Sequence, residues 1–166
     1  TEILKANIFA SENLNFNIKI KSKNVLDHRK LKDLNLNINY ENQTLNFNQS
    51  SVSLQNILMI NLNRRKFKSS KNNQYFIGEF EILIKDHSNL YSFFQTKKQY
   101  RKKINSITFF VKYDFLKNSL KFEELTVDGK SNENIEFNIQ QFNQENKIFK
   151  NSVDLRDFFN SLVEEL

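Results

Sequence analysis

The stretch Phe76-Ile77-Gly78-Glu79-Phe80-Glu81-Ile82-Leu83-Ile84 decides the fold class. Phe76, Phe80, Ile82 and Ile84 fall on one phase of a period-two alternation, and Glu79 and Glu81 fall on the other. A helix would scatter these side chains around its circumference, whereas an extended chain puts the first set on one face. The same beat recurs in both directions. Towards the N-terminus it runs through Leu14, Phe16, Ile18 and Ile20, then Leu34, Leu36, Ile38 and Tyr40. Leu45 with Phe47, Val52 with Leu54, and Leu58, Ile60 and Leu62 complete that half. Towards the C-terminus it resumes at Ile107, Phe109, Val111 and Tyr113, then Leu120 with Phe122, Leu125 with Val127, and Ile135, Phe137 and Ile139. Together these runs predict about ten half-buried strands.

The connections are short and carry turn chemistry, as in Glu41-Asn42-Gln43, Lys117-Asn118-Ser119 and Asp128-Gly129. Short turns make hairpins and therefore antiparallel neighbours, since a parallel pair needs a crossover of about a dozen residues or more. One internal segment is long and helix-like. It follows Ile84, takes Asp86 or Ser88 as its N-cap, and runs through Leu90, Phe93 and Phe94 towards Tyr100. A second helix closes the sequence, with Asp154 as cap and Leu155, Phe158, Phe159, Leu162 and Leu166 as its apolar stripe. The expected fold is mostly β: an antiparallel, curved or elongated sheet with two short helices, one after Ile84 and one C-terminal. Two helices cannot cover ten strands, so an open sheet needs another sheet, a partner or a lipid over its apolar face, unless it closes as a sandwich or barrel.

The 166 residues suit one β-rich module. Because the chain begins at Thr1 with the strand rhythm already established by Ile3, a fragment or mature form of a longer protein is expected, with any membrane anchor outside it. No window approaches the roughly 18 apolar residues of a membrane helix. The polar segment 64–73, with Arg64, Arg65 and Lys66, reads as a long loop and a sub-boundary. It is either a basic patch for phosphates or a solvated hairpin tip. Pro is absent, Gly occurs twice, and Asn, Lys, Ile and Phe are in excess, the bias of an AT-rich genome. The net charge of +6 suits a polyanionic partner, although Lys enrichment of that origin produces it too.

Catalytic machinery is not expected. There is no cysteine, and His28 and His87 stand apart in polar segments, where surface positions suit them best. Gly78 and Gly129 are the only glycines, and neither forms a phosphate-cradling cluster. Of the carboxylate pairs, Glu79 and Glu81 share the polar phase of a strand, while Glu123 with Glu124 and Glu164 with Glu165 sit at a turn and a chain end. No cofactor and no metal is expected. A second basic cluster, Lys97, Lys98, Arg101, Lys102 and Lys103, follows the first helix. It either complements the helix macrodipole or meets anionic lipid headgroups. Nucleic acid is not favoured as a partner, because the aromatic residues sit at core phase rather than exposed for base stacking.

From Phe76 to Phe142 the order of elements is distinctive: the quoted strand, then Asp86-His87-Ser88-Asn89-Leu90-Tyr91-Ser92-Phe93-Phe94. A further strand, Ile107-Thr108-Phe109-Phe110-Val111-Lys112-Tyr113-Asp114, leads to the hairpin Leu120 to Gly129 that ends in Leu125-Thr126-Val127-Asp128-Gly129. This resembles the bacterial AsmA-like family, whose repeats pair a strand with a short "D-x-x-x-L-x-x-hydrophobic" helix and return through an "L-x-hydrophobic-D-G" hairpin. The resemblance implies a Gram-negative cell-envelope protein, anchored in the inner membrane and reaching into the periplasm. It also implies lipid transport along an apolar β-sheet groove, support of outer-membrane assembly, and phospholipid, the membrane surface or envelope proteins as partners. Phe80, Ile82, Ile84, Phe93, Phe94, Phe109 and Val111 are the groove candidates, each of which suits an ordinary core equally well. Beside this stand a structural or adhesive β-sandwich or barrel that binds protein or glycan, and a basic nucleic-acid-binding domain.

Overall fold

The computed structural model describes residues 14–25, 30–42, 44–70, 73–144, 149 and 151–166. Its centre is one open antiparallel sheet of eight strands: β1 (Phe16–Asn24), β2 (Leu31–Glu41), β3 (Thr44–Asn46), β4 (Ser50–Leu54), β5 (Leu58–Ser70), β6 (Asn73–Ile84), β7 (Ser106–Asp114) and β8 (Ser119–Val127). The chain meanders, so neighbours in sequence are neighbours in the sheet. Strands β3 and β4 share one lane between β2 and β5: β3 pairs Leu45 with Tyr40 and Phe67, while β4 pairs Leu54 with Leu31 and Leu58. Left-handed backbone at Asn42, Asn118, Asp128 and Gly129 marks the turns, and Asn, Asp and Gly adopt it at least cost. At Asp128-Gly129 two consecutive positive φ angles, 49° and 74°, make the tight turn that ties Val127 to Lys130. The Asp128 carboxylate then accepts the Asn105 and Ser106 amides at 2.8 and 2.7 Å, fastening this turn to the start of β7.

Where β3 gives way to β4, the ladder is bridged by one hydroxyl. Ser50 Oγ accepts the Asn37 amide at 2.9 Å and donates to the Asn37 carbonyl at 3.3 Å, while Ser50 itself is 4% exposed. A buried backbone group without a partner costs about 1–3 kcal/mol, so Ser50→Ala should lower unfolding free energy by about that amount in a urea titration. A midpoint indistinguishable from wild type would show that water replaces the hydroxyl.

Three helices stand on the apolar face of β5 to β8: α1 (His87–Phe93), α2 (Glu133–Gln144) and α3 (Ser152–Glu164), with a 3-10 turn at Lys98–Tyr100. Asp86 caps α1 by accepting the Asn89 amide at 3.0 Å. Asn132 does the same for α2, accepting the Ile135 amide at 2.8 Å. Helix α2 lies along β8, where the Asn143 side chain takes both backbone groups of Phe122, accepting its N–H at 2.9 Å and donating to its carbonyl at 2.7 Å. Helix α3 joins the other two. Phe159 stacks on Phe94 with centroids 4.1 Å apart, Asn160 bonds Thr96 and the Phe94 carbonyl, and Ser161 bonds Asn138.

Several expectations are corrected here. Eight strands replace ten because Leu120–Phe122 and Leu125–Val127 belong to one strand, in which a bulge across from Phe110 and Val111 shifts the phase by one residue. Ile135, Phe137 and Ile139 are helical: Ile135, Ile139 and Phe142 are buried at spacings of four and three, and Phe137 is 66% exposed. That helix makes three rather than two among the described residues. Residues 64–70 continue β5, paired from Arg64 opposite Glu79 to Ser70 opposite Asn73, so the segment read as a loop is the outer end of a hairpin. Glu123 and Glu124 lie within β8 rather than at a turn. The C-terminal helix is capped by Asn151, with Asp154 in its first turn. Helix α1 stops at Phe93, followed by left-handed Gln95, so Lys97 to Lys103 are not its last turn and do not complement its dipole.

Candidate functional site: an apolar cavity under the helices

Between the sheet and the helices lies a cavity of about 560 Å³ whose lining residues are all aliphatic or aromatic. Its floor is the apolar phase of the sheet, with Leu54, Leu58 and Ile60 on β4 and β5, Phe80 and Ile82 on β6, and Phe109 and Val111 on β7. Phe93 and Phe94 at the end of α1 wall one side, and Leu155, Phe158, Phe159 and Leu162 of α3 form the roof. The register explains the floor: Phe80 is opposite Phe109, which is opposite Leu125, and Ile82 is opposite Ile107. Phe80 and Phe109 stack with centroids 5.1 Å apart and planes 13° apart. At one end Phe122 meets Phe109, Phe142, Phe149 and Phe158, closing the cavity with a cluster of rings.

Gly78 contributes by having no side chain. A Cβ there would lie 2.6 Å from the Phe76 ring, which crosses over the glycine and tilts against Phe80. This close approach sets the ring that borders the cavity on that side.

Six of the seven groove candidates, Phe80, Ile82, Phe93, Phe94, Phe109 and Val111, line this one space. Ile84 does not; it packs into the adjoining core. Sequence reasoning did not place Leu31, Leu54, Leu58, Ile60, Phe122 and Phe158 in the wall. For five of them the period-two or helical phase was visible, but which lanes the helices would cover was not; Leu31 is out of phase with Leu34 to Tyr40 and reaches the apolar face only across the irregularity at Asp33.

The basic residues lie elsewhere. Arg64, Arg65 and Lys66 occupy β5 opposite Glu79, Gly78 and Ile77 in the ladder. Lys97, Lys98, Arg101, Lys102 and Lys103 are exposed. Two of them have local partners: Lys97 sits over the Tyr100 ring at 5.9 Å, and Arg101 donates through Nε to the Thr96 carbonyl at 3.0 Å and lies over Tyr91. The Tyr91 hydroxyl donates to the Lys102 carbonyl. Burial raises the Tyr91 pKa, against that bond and the Arg101 charge, which lower it. Beside the cavity, Lys30 Nζ stands 4.9 Å from the centroid of Phe93. Arg156, next to Leu155, donates through Nη1 to Gln95 Oε1 at 3.1 Å.

His87 is half-buried rather than on the surface, with Nε2 2.7 Å from the Ile104 carbonyl, where it ties α1 to the approach to β7. Glu81 accepts from Asn61 Nδ2 at 3.1 Å on the opposite face of the sheet. No group of three or more His, Asp or Glu among the described residues is placed to hold a metal ion, and none of the helices described is long and apolar enough to cross a membrane. No protein-family model, no curated protein and no solved structure matches this chain.

Proposed function

We propose that this chain takes the acyl part of a phospholipid into the cavity beneath its helices, as a non-enzymatic component of an AsmA-like envelope protein on the periplasmic side of the inner membrane. One observation carries the reading: about 560 Å³ of space walled wholly by apolar side chains. Interiors are ordinarily close-packed, with few voids larger than a water molecule. This volume falls in the range of about 300–1,000 Å³ typical of small-molecule sites. Phe80, Ile82 and Phe109 are only half-buried although they sit in the interior lanes of the sheet under the helices, as expected where a ligand completes the packing. Each methylene transferred into such a space gains about 0.8 kcal/mol, so a chain of a dozen carbons supplies enough driving force with no polar contact at all. Transport would be passive, with the polar face of the sheet in water.

Native mass spectrometry of the purified chain, with extraction of bound lipid, tests this. Phospholipid or fatty acid at near-stoichiometric amounts is the expected result. A lipid-free monomer that also takes up no added phospholipid would overturn the reading in favour of a self-sealed structural domain. A cavity-filling change sharpens the test. Leu54→Trp, whose side chain would occupy the floor, should reduce bound lipid severalfold while leaving the melting temperature unchanged or raised. If the space were ordinary core, overpacking it would instead cost about 1–3 kcal/mol.

A further inference from the structure

Two cations bracket one edge of the cavity. Lys30 precedes Leu31, a lining residue, and its ammonium stands 4.9 Å from the ring centroid of Phe93, another lining residue. Arg156 follows Leu155, which lines the cavity yet is 41% exposed, so the wall reaches solvent at this point. Gln95, the residue after Phe94, accepts from Arg156 Nη1, which places Arg156 beside the end of α1 whose Phe93 ring carries Lys30. The acidic groups nearby are Asp157, which accepts from Arg156 Nε at 3.2 Å and is itself largely exposed, and Asp154 in the first turn of α3. Lys30 forms no ion pair among the described residues.

We infer that the ligand's head is anionic and is held at this edge by Lys30 and Arg156, with its tail inside. The inference rests on the proposed cavity function and names the charge class of its ligand: a single negative head, phosphate or carboxylate, on an acyl tail. The physical reason is placement. A cation on a turn is ordinarily free in water, but an ammonium packed on the face of a wall aromatic sits where a tail's polar end must emerge. A guanidinium adds in-plane donors suited to carboxylate or phosphate oxygens.

Three probes with the same sixteen-carbon tail separate head from tail: hexadecyl phosphate, hexadecanoate and hexadecanol, titrated into the full chain at low and at high salt. Both anions should bind about tenfold more tightly than the alcohol, the worth of one charge-assisted hydrogen bond, and salt should erode that advantage. The order of the two anions tells phosphate from carboxylate. In Lys30→Gln with Arg156→Gln the preference for anions over hexadecanol should fall towards one. Equal binding of all three probes by the wild type overturns the anionic head and leaves the cavity reading standing. No binding of any probe overturns both. A wild-type preference that survives the double substitution removes Lys30 and Arg156 from the site.

Discussion

Phe122→Ala should lower the melting temperature by roughly 10 °C, from a loss of about 3–5 kcal/mol at about 2–4 °C per kcal/mol for a chain of this size. Phe122 is 5% exposed and its ring meets four others: Phe158 in a parallel stack at 5.1 Å, and Phe142, Phe109 and Phe149 at 5.1, 5.8 and 6.4 Å. Those partners come from β7, α2, α3 and the segment between the two helices, so one side chain joins the sheet to both C-terminal helices. Truncation leaves a void that cannot collapse without moving all of them. The backbone of Phe122 stays bonded to Asn143 whatever its side chain, so the loss reports packing rather than a broken ladder. Thermal unfolding followed by circular dichroism measures it. A shift below about 2 °C would mean that the rings close over the gap and that the cluster does not hold the helices down.

Phe80→Asp combined with Phe109→Asp should abolish acyl-chain binding. The two residues face each other across β6 and β7 in the middle of the cavity floor, their rings stacked. The double change replaces the broadest apolar surface there by two carboxylates directly opposite one another. Desolvation and mutual repulsion raise the pKa of both above the ordinary value of about 4, because each disfavours the charged form. The part of the destabilisation due to charge is complete above the raised folded-state pKa and disappears as pH falls below the unfolded value, so the variant should regain part of its stability on acidification, while the loss of the two rings persists at every pH. Phe80→Leu with Phe109→Leu keeps the floor apolar and should stay folded and bind. Bound lipid on the folded Asp variant would take these residues out of the site.

The sheet was legible in the sequence because nothing competes with an alternation such as that of β6, where Phe76, Phe80, Ile82 and Ile84 share one phase and Glu79 and Glu81 the other. What was not legible was phase arithmetic. Glu123 and Glu124 look like a turn because they separate two pairs of apolar residues by an odd step, and a bulge produces the same pattern within one strand. Ile135, Phe137 and Ile139 fit period two, and only Phe142, three residues on, reveals the helical face. The candidate site was legible as a face, which is why six of seven groove positions meet. Its extent was not, since the positions of α2 and α3 over β5 to β8 depend on long-range contacts such as Asn160 with Phe94 that leave no local signature.

The two margins of the sheet are chemically unlike. At β8, Asn143 already occupies the amide and carbonyl of Phe122, which a ninth strand would need, and α2 lies alongside. At β1, pairing among the described residues is with β2 alone, and Ile18 and Ile20 remain 45% and 43% exposed on the apolar face. Among the described residues the sheet is therefore vectorial: an added strand would meet backbone already claimed at Phe122 of β8, whereas beside β1 it would extend the apolar face that Ile18 and Ile20 carry.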